Sequence, residues 1–133
     1  MGEASAEGAP AFACRGIRGA TTVAGASPSD VDAATAELLS ELQRANGFDV
    51  ADVAAVTFTL PDELAGTNPA AAARAAGWAS VPLLMVREHG GDAGVPNCLR
   101  VLLLVNTTAT QAEIRHVYLR GAAELRPDLA TLS

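Results

Sequence analysis

The longest hydrophobic segment of the chain is C-L-R-V-L-L-L-V-N, residues 98–106. A period of two is typical of a β-strand and divides such a segment between two faces. One face carries Leu99, Val101, Leu103 and Val105, and the other carries Cys98, Arg100, Leu102 and Leu104. Because both faces are apolar apart from one arginine, the pattern predicts a strand that is buried on both sides and holds a single charge.

A helix is predicted over residues 28–46. Ser27 is a typical N-cap, Pro28 fits the first helical position, and Gly47 is a typical stop. Apolar residues recur at helical spacing at Val31, Ala34, Leu38, Leu42 and Ala45. The intervening charged residues are then left for solvent.

The other elements are shorter and are separated by glycine and proline. Strands are predicted at 14–23, 53–60, 81–88 and 117–125, with a short helix at 70–76, a loop at 90–96 and one capped helical turn at 110–113. Strands and helices interleave without the strict alternation of a doubly wound fold. We therefore expect an α+β sandwich, in which a mixed β-sheet packs against helices.

The size of the chain is that of one domain. It has 133 residues, of which half are hydrophobic, enough to bury a core without disulfide or metal support. Residues 1–13 are expected to form a flexible tail, and residues 14–133 a single domain. The tail lacks the basic start and hydrophobic block of a signal peptide, and no apolar run approaches the roughly 20 residues of a membrane span, so the expected location is cytoplasmic.

Charge and cysteine content exclude several classes of partner. A net charge of −6 disfavours binding to nucleic acid or to anionic membranes. Cys14 and Cys98 are far apart and lack a C-x-x-C partner, so we expect two buried free thiols and no metal site.

Four residues do not fit a plain core. All nine cationic residues are arginines, and both Arg18 and Arg100 fall within predicted strands. A buried charge needs an anion beside it, which either a protein carboxylate or a ligand supplies. Glu88 ends a strand beside the glycine-rich loop, where it either reaches into a cleft or pairs with Arg87. Tyr118 is either a core residue or a site residue.

The chain has few residues suited to acid–base catalysis, but it has several arginines at predicted strand positions. This inventory favours a site that binds a compact polyanion and acts by placing charge, rather than by proton transfer or a covalent intermediate.

Five segments resemble the AroH-class monofunctional chorismate mutases, in order and with nearly the same spacing. They are R-G-I-R-G-A-T-T-V at 15–23, G-W-A-S-V-P-L at 77–83, N-C-L-R-V-L at 97–102, I-R-H-V-Y-L at 114–119 and L-R-P-D-L at 125–129. The resemblance implies the [3,3] rearrangement of chorismate to prephenate without a cofactor. It also implies a homotrimer that forms a pseudo-α/β-barrel, with active sites between subunits.

The resemblance assigns catalytic roles to three residues. Arg100 would donate to the ether oxygen of chorismate as that oxygen becomes negative. Arg18 would bind a carboxylate, and Glu88 would accept from the ring hydroxyl and face the positive charge that develops on the ring. Tyr118 would hydrogen-bond a carboxylate of the substrate.

Further substrate-binding residues follow from the same resemblance. Arg74 and Arg126 would help to capture or enclose the substrate, and Leu125 would line the pocket through its backbone. Leu84 and Met85 would also contact the substrate, although Met85 stands where family members often carry a cysteine.

Two other functions share parts of this pattern. A trimeric RidA-like protein has a similar architecture and an arginine in a subunit cleft, but deaminates enamines or imines. A noncatalytic trimer that binds a carboxylate metabolite is the third hypothesis. The first-strand motif and the R-H-V-Y-L segment favour the mutase.

Overall fold

Five strands form one sheet in the computed structural model, which describes residues 11–89 and 95–125. The strands are β1 (Ala13–Thr22), β2 (Val53–Leu60), β3 (Leu83–Arg87), β4 (Cys98–Thr107) and β5 (Val117–Leu119). The helices are α1 (Pro28–Asn46) and α2 (Pro69–Ala73), and single helical turns occupy much of the connecting chain. Strands and helices follow the α+β pattern predicted from the sequence.

The strand order across the sheet is β3-β2-β4-β1-β5. β4 lies in the centre and is antiparallel to both of its neighbours, β1 and β2. The outer strands β3 and β5 run parallel to β2 and β1, respectively. The sheet is therefore mixed, as predicted.

α1 begins and ends where its capping residues predict. The Ser27 hydroxyl accepts from the Asp30 backbone N–H, which satisfies a donor left free in the first turn. At the other end Gly47 adopts a left-handed conformation with φ of 67°, which glycine takes without steric cost.

The hydrophobic core lies between α1 and one face of the sheet. It contains the α1 residues Val31, Leu38 and Leu42 together with Ile17 and Leu103 from the central strands. The four β4 residues predicted to share a face, Leu99, Val101, Leu103 and Val105, are all buried here. This confirms one of the two faces predicted for β4.

The opposite face of the sheet is only partly covered in the single chain: Ala20, Cys98 and Tyr118 are buried there with Ala122 in a second small cluster, and the rest of this face is open. We call this face the open face. Its exposed apolar side chains are Leu84 (59%), Val86 (40%), Leu102 (43%) and Leu104 (38%). The prediction that β4 is buried on both sides is therefore wrong for the single chain, because α1 and α2 cover only one face.

The last predicted strand is shorter than expected. β5 ends at Leu119, because Arg120 takes a positive φ of 53° and begins a helical turn, Arg120–Glu124. The regular α-helix α2 ends at Ala73, but the backbone stays helical at Arg74 and continues as a wider helical turn, Arg74–Trp78. It leaves the helical region only at Gly77, where φ is 105°, directly after the predicted end of the helix at residue 76.

Several expectations concern segments at the margins of the described structure. β1 begins at Ala13, within the predicted tail, and most of the predicted loop at 90–96 lies outside the described residues. Cys98 is buried as predicted, but Cys14 is exposed, since strand alternation places it on the same side of β1 as Arg18, which faces away from α1. Within the described residues, neither helix is long and apolar enough to cross a bilayer.

Candidate active site

Strand pairing places four residues in one row across the sheet. Thr59 of β2 pairs with Arg100 of β4, Arg100 pairs with Ala20 of β1, and Ala20 pairs with Tyr118 of β5. Directly paired residues project from the same side of a sheet, and neighbouring strands lie about 4.8 Å apart. The row thus brings Arg100 and Tyr118 to one surface, with only the small Ala20 between them.

Glu88 reaches this row from the strand beyond β2. It follows β3 directly, and its backbone N–H donates to the carbonyl of Leu60 at 2.8 Å. Its Oε1 accepts a hydrogen bond of 2.5 Å from the Thr59 hydroxyl and lies 3.5 Å from Arg100 Nε. Arg87 pairs instead with Asp62 at 3.1 Å. Glu88 therefore lies beside Arg100, and not in the pair with Arg87 that the sequence left open.

Arg100 retains an unsatisfied donor. Its Nε is buried, and the contact with Glu88 does not have the geometry of a hydrogen bond, so Nε has no hydrogen-bond partner among the described residues. A buried donor without an acceptor costs about 1–3 kcal/mol. An anionic ligand that engages the guanidinium would offset this cost.

Arg18 and Tyr118 are held near one another by the pairing of β1 with β5. The backbone N–H of Arg18 donates to Nδ1 of His116 at 2.9 Å, just before β5 begins. Tyr118 is only 6% exposed and packs in a small cluster with Ala20 and Cys98. The Arg18 side chain projects from the same open face, since its partner across β4 is Leu102.

These side chains line one open cleft of about 760 Å³. Its walls include the predicted residues Arg18, Glu88, Arg100, Tyr118 and Leu125. The cleft is large enough for a small organic acid. It presents guanidinium groups and a phenol, together with a carboxylate held beside Arg100.

Three predicted site residues lie outside this cleft in the single chain. Arg74 is exposed at the end of α2. Leu84 lies on the open face of β3, and Met85 projects to the other side of the same strand. Arg126 falls outside the described residues.

The polar residues Thr57, Thr59 and Glu124 also line the cleft and were not predicted. Thr59 bonds Glu88, and Glu124 lines the cleft from the helical turn after β5. The alternation T-F-T-L at residues 57–60 indicates that Thr59 faces away from the core, but strand alternation alone does not show which residue lies opposite. Glu124 was assigned to a strand that the structure replaces with a turn.

The buried thiol beneath the cleft is poorly suited to act as a nucleophile. Burial raises the pKa of Cys98, an effect that the charge of nearby Arg100 partly opposes. A raised pKa leaves the thiol protonated near neutral pH, and the thiolate is the reactive form. No three His, Cys, Asp or Glu side chains cluster as a potential metal site in the part of the chain that the structure describes.

Comparisons with known proteins agree on one family. The family model described as chorismate mutase type I matches residues 14–129. The chain is 47% identical to chorismate mutase AroH of Thermus thermophilus over 116 residues, which span 86% of this chain and 95% of that protein. It is 37% identical to chorismate mutase AroH of Bacillus subtilis (strain 168) over 117 residues, which span 87% and 92%, respectively.

A solved structure gives the same result. The chorismate mutase from Clostridium thermocellum superposes with a TM-score of 0.79 at 38% identity, covering 82% of this chain and 97% of that one. This match supports the first of the three functions considered from the sequence. The chain belongs to the chorismate mutase type I family.

Proposed function

We propose that this chorismate mutase rearranges chorismate to prephenate in the cleft lined by Arg18, Glu88, Arg100 and Tyr118. The observation that carries the proposal is the position of Glu88 Oε1, 3.5 Å from Arg100 Nε, at the wall of an open cleft. Arg100 is a donor and Glu88 an acceptor, and their positions are complementary to a substrate in which negative and positive charge separate during the reaction. The product leads toward phenylalanine and tyrosine.

The reaction requires charge placement and conformational restriction. As the ether C–O bond breaks and a C–C bond forms within the same molecule, the ether oxygen gains negative charge and the ring gains positive charge. Arg100 donates to that oxygen, and Glu88 faces the ring. Both groups are held before substrate arrives, so the transition state is stabilised without reorganising the site.

Substrate binding is assigned to the remaining cleft residues. Chorismate carries two carboxylates, and it reacts from a compact chair in which the reacting carbons meet. Arg18 binds one carboxylate, and Tyr118 hydrogen-bonds a carboxylate from the opposite end of the row. Leu125 lines the pocket through its backbone. Holding the chair lowers the entropic part of the barrier.

We infer further that three chains assemble through the open face, as the family resemblance implies. Leu102 and Leu104 of β4 and Leu84 and Val86 of β3 lie on the open face on either side of β2, and all four are exposed in the single chain. Exposed apolar side chains grouped on one face are typical of protein interfaces. Association would bury them and complete a pseudo-α/β-barrel with the helices outside.

The charge of the cleft supports a contribution from a second chain. Two arginines, Arg18 and Arg100, face two carboxylates, Glu88 and Glu124, among the described residues that line it. A dianionic substrate requires an excess of cations. Arg74 from a neighbouring subunit would supply one, with Leu84 and Met85 as apolar contacts, and Arg126 would supply another.

The test is chorismate consumption by the purified protein, followed by loss of absorbance and by detection of prephenate. Arg100→Ala is expected to lower kcat by about 100- to 1000-fold, since it removes a preorganised donor. Arg44→Ala is the matched control, because Arg44 pairs with Glu41 on the exposed side of α1. It should retain full activity.

Two results would contradict the proposal at different levels. Chorismate loss no faster than the spontaneous rate would exclude catalysis by this protein under the assay conditions. Unchanged activity in Arg100→Ala, with prephenate still formed, would place the reaction elsewhere or assign the donor to another residue.

A further inference from the structure

The Thr59 hydroxyl bonds the carboxylate that faces the substrate in the proposed mechanism. Thr59 Oγ1 donates to Glu88 Oε1 at 2.5 Å, the short separation typical of a hydroxyl bound to a charged oxygen. The contact is partly buried and joins two residues that are 29 positions apart in the chain. It is therefore a feature of the folded cleft and not of local chain geometry.

Thr59 lies where it can influence both charged partners. It is paired across the sheet with Arg100, and the next residue, Leu60, accepts the backbone N–H of Glu88. Two successive residues of β2 thus hold Glu88, one through its backbone and one through its side chain. Oε2 makes no hydrogen bond with the described residues, so it is the oxygen left for a ligand.

The separation of Glu88 from Arg100 also requires an explanation. A carboxylate and a guanidinium that are free to approach form a forked ion pair with N–O distances of about 2.7–2.9 Å. Here the nearest distance is 3.5 Å, and Arg100 Nε is left without a hydrogen bond among the described residues. The hydroxyl of Thr59 binds the same oxygen that a closed pair would use.

We propose that Thr59 is a positioning residue that keeps Glu88 and Arg100 from closing on each other. By holding Oε1, it leaves Oε2 for the ring of the substrate and leaves the guanidinium of Arg100 for the ether oxygen. This inference rests on the roles proposed above for Glu88 and Arg100. It adds a residue that acts through them without touching the reacting atoms.

Thr59→Val removes the hydroxyl and preserves the shape of the side chain. We expect kcat to fall about tenfold, the size of effect typical of a hydrogen bond to a charged group, while KM changes by less than about twofold. Thr59→Ser restores the hydroxyl and should recover kcat to within about threefold of the original value. Thr59→Ala provides the same comparison if the valine variant does not fold, as judged by circular dichroism.

Thr57→Val is the matched control. Thr57 lies two residues earlier on the same side of β2, opposite Leu102, and also lines the cleft, but its hydroxyl makes no hydrogen bond with the described residues. A general effect of valine on the strand would lower kcat equally at both positions. Positioning of Glu88 predicts a larger loss at Thr59, with rescue by serine only there.

A double-mutant cycle with Glu88→Ala, which removes the oxygen that Thr59 binds, separates this inference from the proposed function. If Thr59 acts through the carboxylate, adding Thr59→Val to Glu88→Ala should change kcat by less than about twofold. The positioning role would be overturned if Thr59→Val caused its full loss of kcat in the Glu88→Ala background, or if Thr59→Ser and Thr59→Val lost the same activity. Full activity of Glu88→Ala would instead contradict the role proposed for Glu88, and full activity of Thr59→Val alone would contradict only the inference about Thr59.

Discussion

Five of the nine arginines of this acidic protein form two groups with different surroundings. Arg44, Arg87 and Arg120 each form an ion pair with a carboxylate on the surface. Arg18 forms no ion pair within the described residues, and Arg100 has only the long contact with Glu88. Exposed pairs contribute little to stability, whereas cations left unpaired in a cleft create local positive potential in a protein of net charge −6.

Glu124 opposes that potential. It is exposed, lines the cleft and forms no ion pair with the described residues. Because chorismate is a dianion, Glu124→Gln is expected to lower KM about two- to fivefold, the effect of a unit charge a few ångströms away in a high dielectric. We expect kcat to change little, since Glu124 has no role in the proposed charge separation.

The salt dependence and a control test whether this effect is electrostatic. The difference in KM between Glu124→Gln and the unsubstituted protein should shrink as ionic strength rises. Asp49→Asn is the control. It removes an equal charge from an exposed residue near the start of β2, whereas Thr59 and the cleft lie near the end of that strand, so it should leave KM unchanged. Equal KM values for Glu124→Gln and the unsubstituted protein at low salt would show that Glu124 does not influence binding.

Sequence reasoning predicted the charged residues of the site better than the residues that orient them. Arg18 and Arg100 were identifiable because a charge within an apolar strand requires a partner. A threonine in a strand is ordinary, since β-branched residues suit pleated surfaces. The role inferred for Thr59 depends on its pairing with Arg100 across β2 and β4, and strand pairing is a property of the fold that the local sequence does not contain.

At the scale of elements, a close contact between α1 and β1 supports the site. A Cβ placed on Gly19 would lie 2.9 Å from Leu42 Cδ1, 3.0 Å from Val101 Cγ1 and 3.3 Å from Leu38 Cδ1. Real Cβ atoms essentially never approach as closely as 2.9 Å, so a methyl group at this position would force the terminal methyl groups of Leu42 and Val101 to move. Gly19 directly follows Arg18, which ties this packing to the position of the residue proposed to bind a substrate carboxylate.

Gly19→Ala should therefore destabilise the protein by about 1–3 kcal/mol, the usual cost of adding a methyl group to a filled core. Chemical denaturation measures the change in free energy of unfolding. Gly66→Ala is the control, because a Cβ at Gly66 would meet nothing within 4 Å. If both variants unfold at the same denaturant concentration, the core tolerates the methyl group and the close approach is not limiting.

The sequence predicted the bounds of elements that have clear capping residues. It did not predict the end of an element that stops where a single residue takes an unusual backbone conformation. α1 was bounded correctly because Ser27 and Gly47 satisfy backbone groups that every helix leaves free. β5 was predicted too long because Val117 to Leu125 remains apolar enough to continue a strand. The positive φ of Arg120 ends it, and arginine carries no sequence preference for that conformation.

At the scale of the whole molecule, the open face is the feature that a single chain leaves unexplained. Burying an apolar side chain stabilises a protein by about 1.5–3 kcal/mol relative to full exposure. Leu84, Val86, Leu102 and Leu104 are each at least 38% exposed on one surface of the sheet. The three-fold assembly proposed above would cover these side chains, and it would bring a neighbour's Arg74 toward a cleft whose described charges otherwise cancel.

Leu104→Glu tests the assembly directly. Leu104 lies on the open face but does not line the cleft, so a charge there should prevent association and leave the fold of the chain intact. Light scattering should give three times 13.5 kDa for the unsubstituted protein and a single 13.5 kDa chain for the variant. Because the cleft of the monomeric variant would lack its second chain, its rate of chorismate turnover should also fall. Ser40→Glu is the control, since Ser40 lies on the exposed side of α1, and it should change neither the molecular mass nor the activity. If Leu104→Glu retains the mass of the unsubstituted protein, the open face is not the interface. If the variant is a monomer with full activity, one chain forms the complete active site.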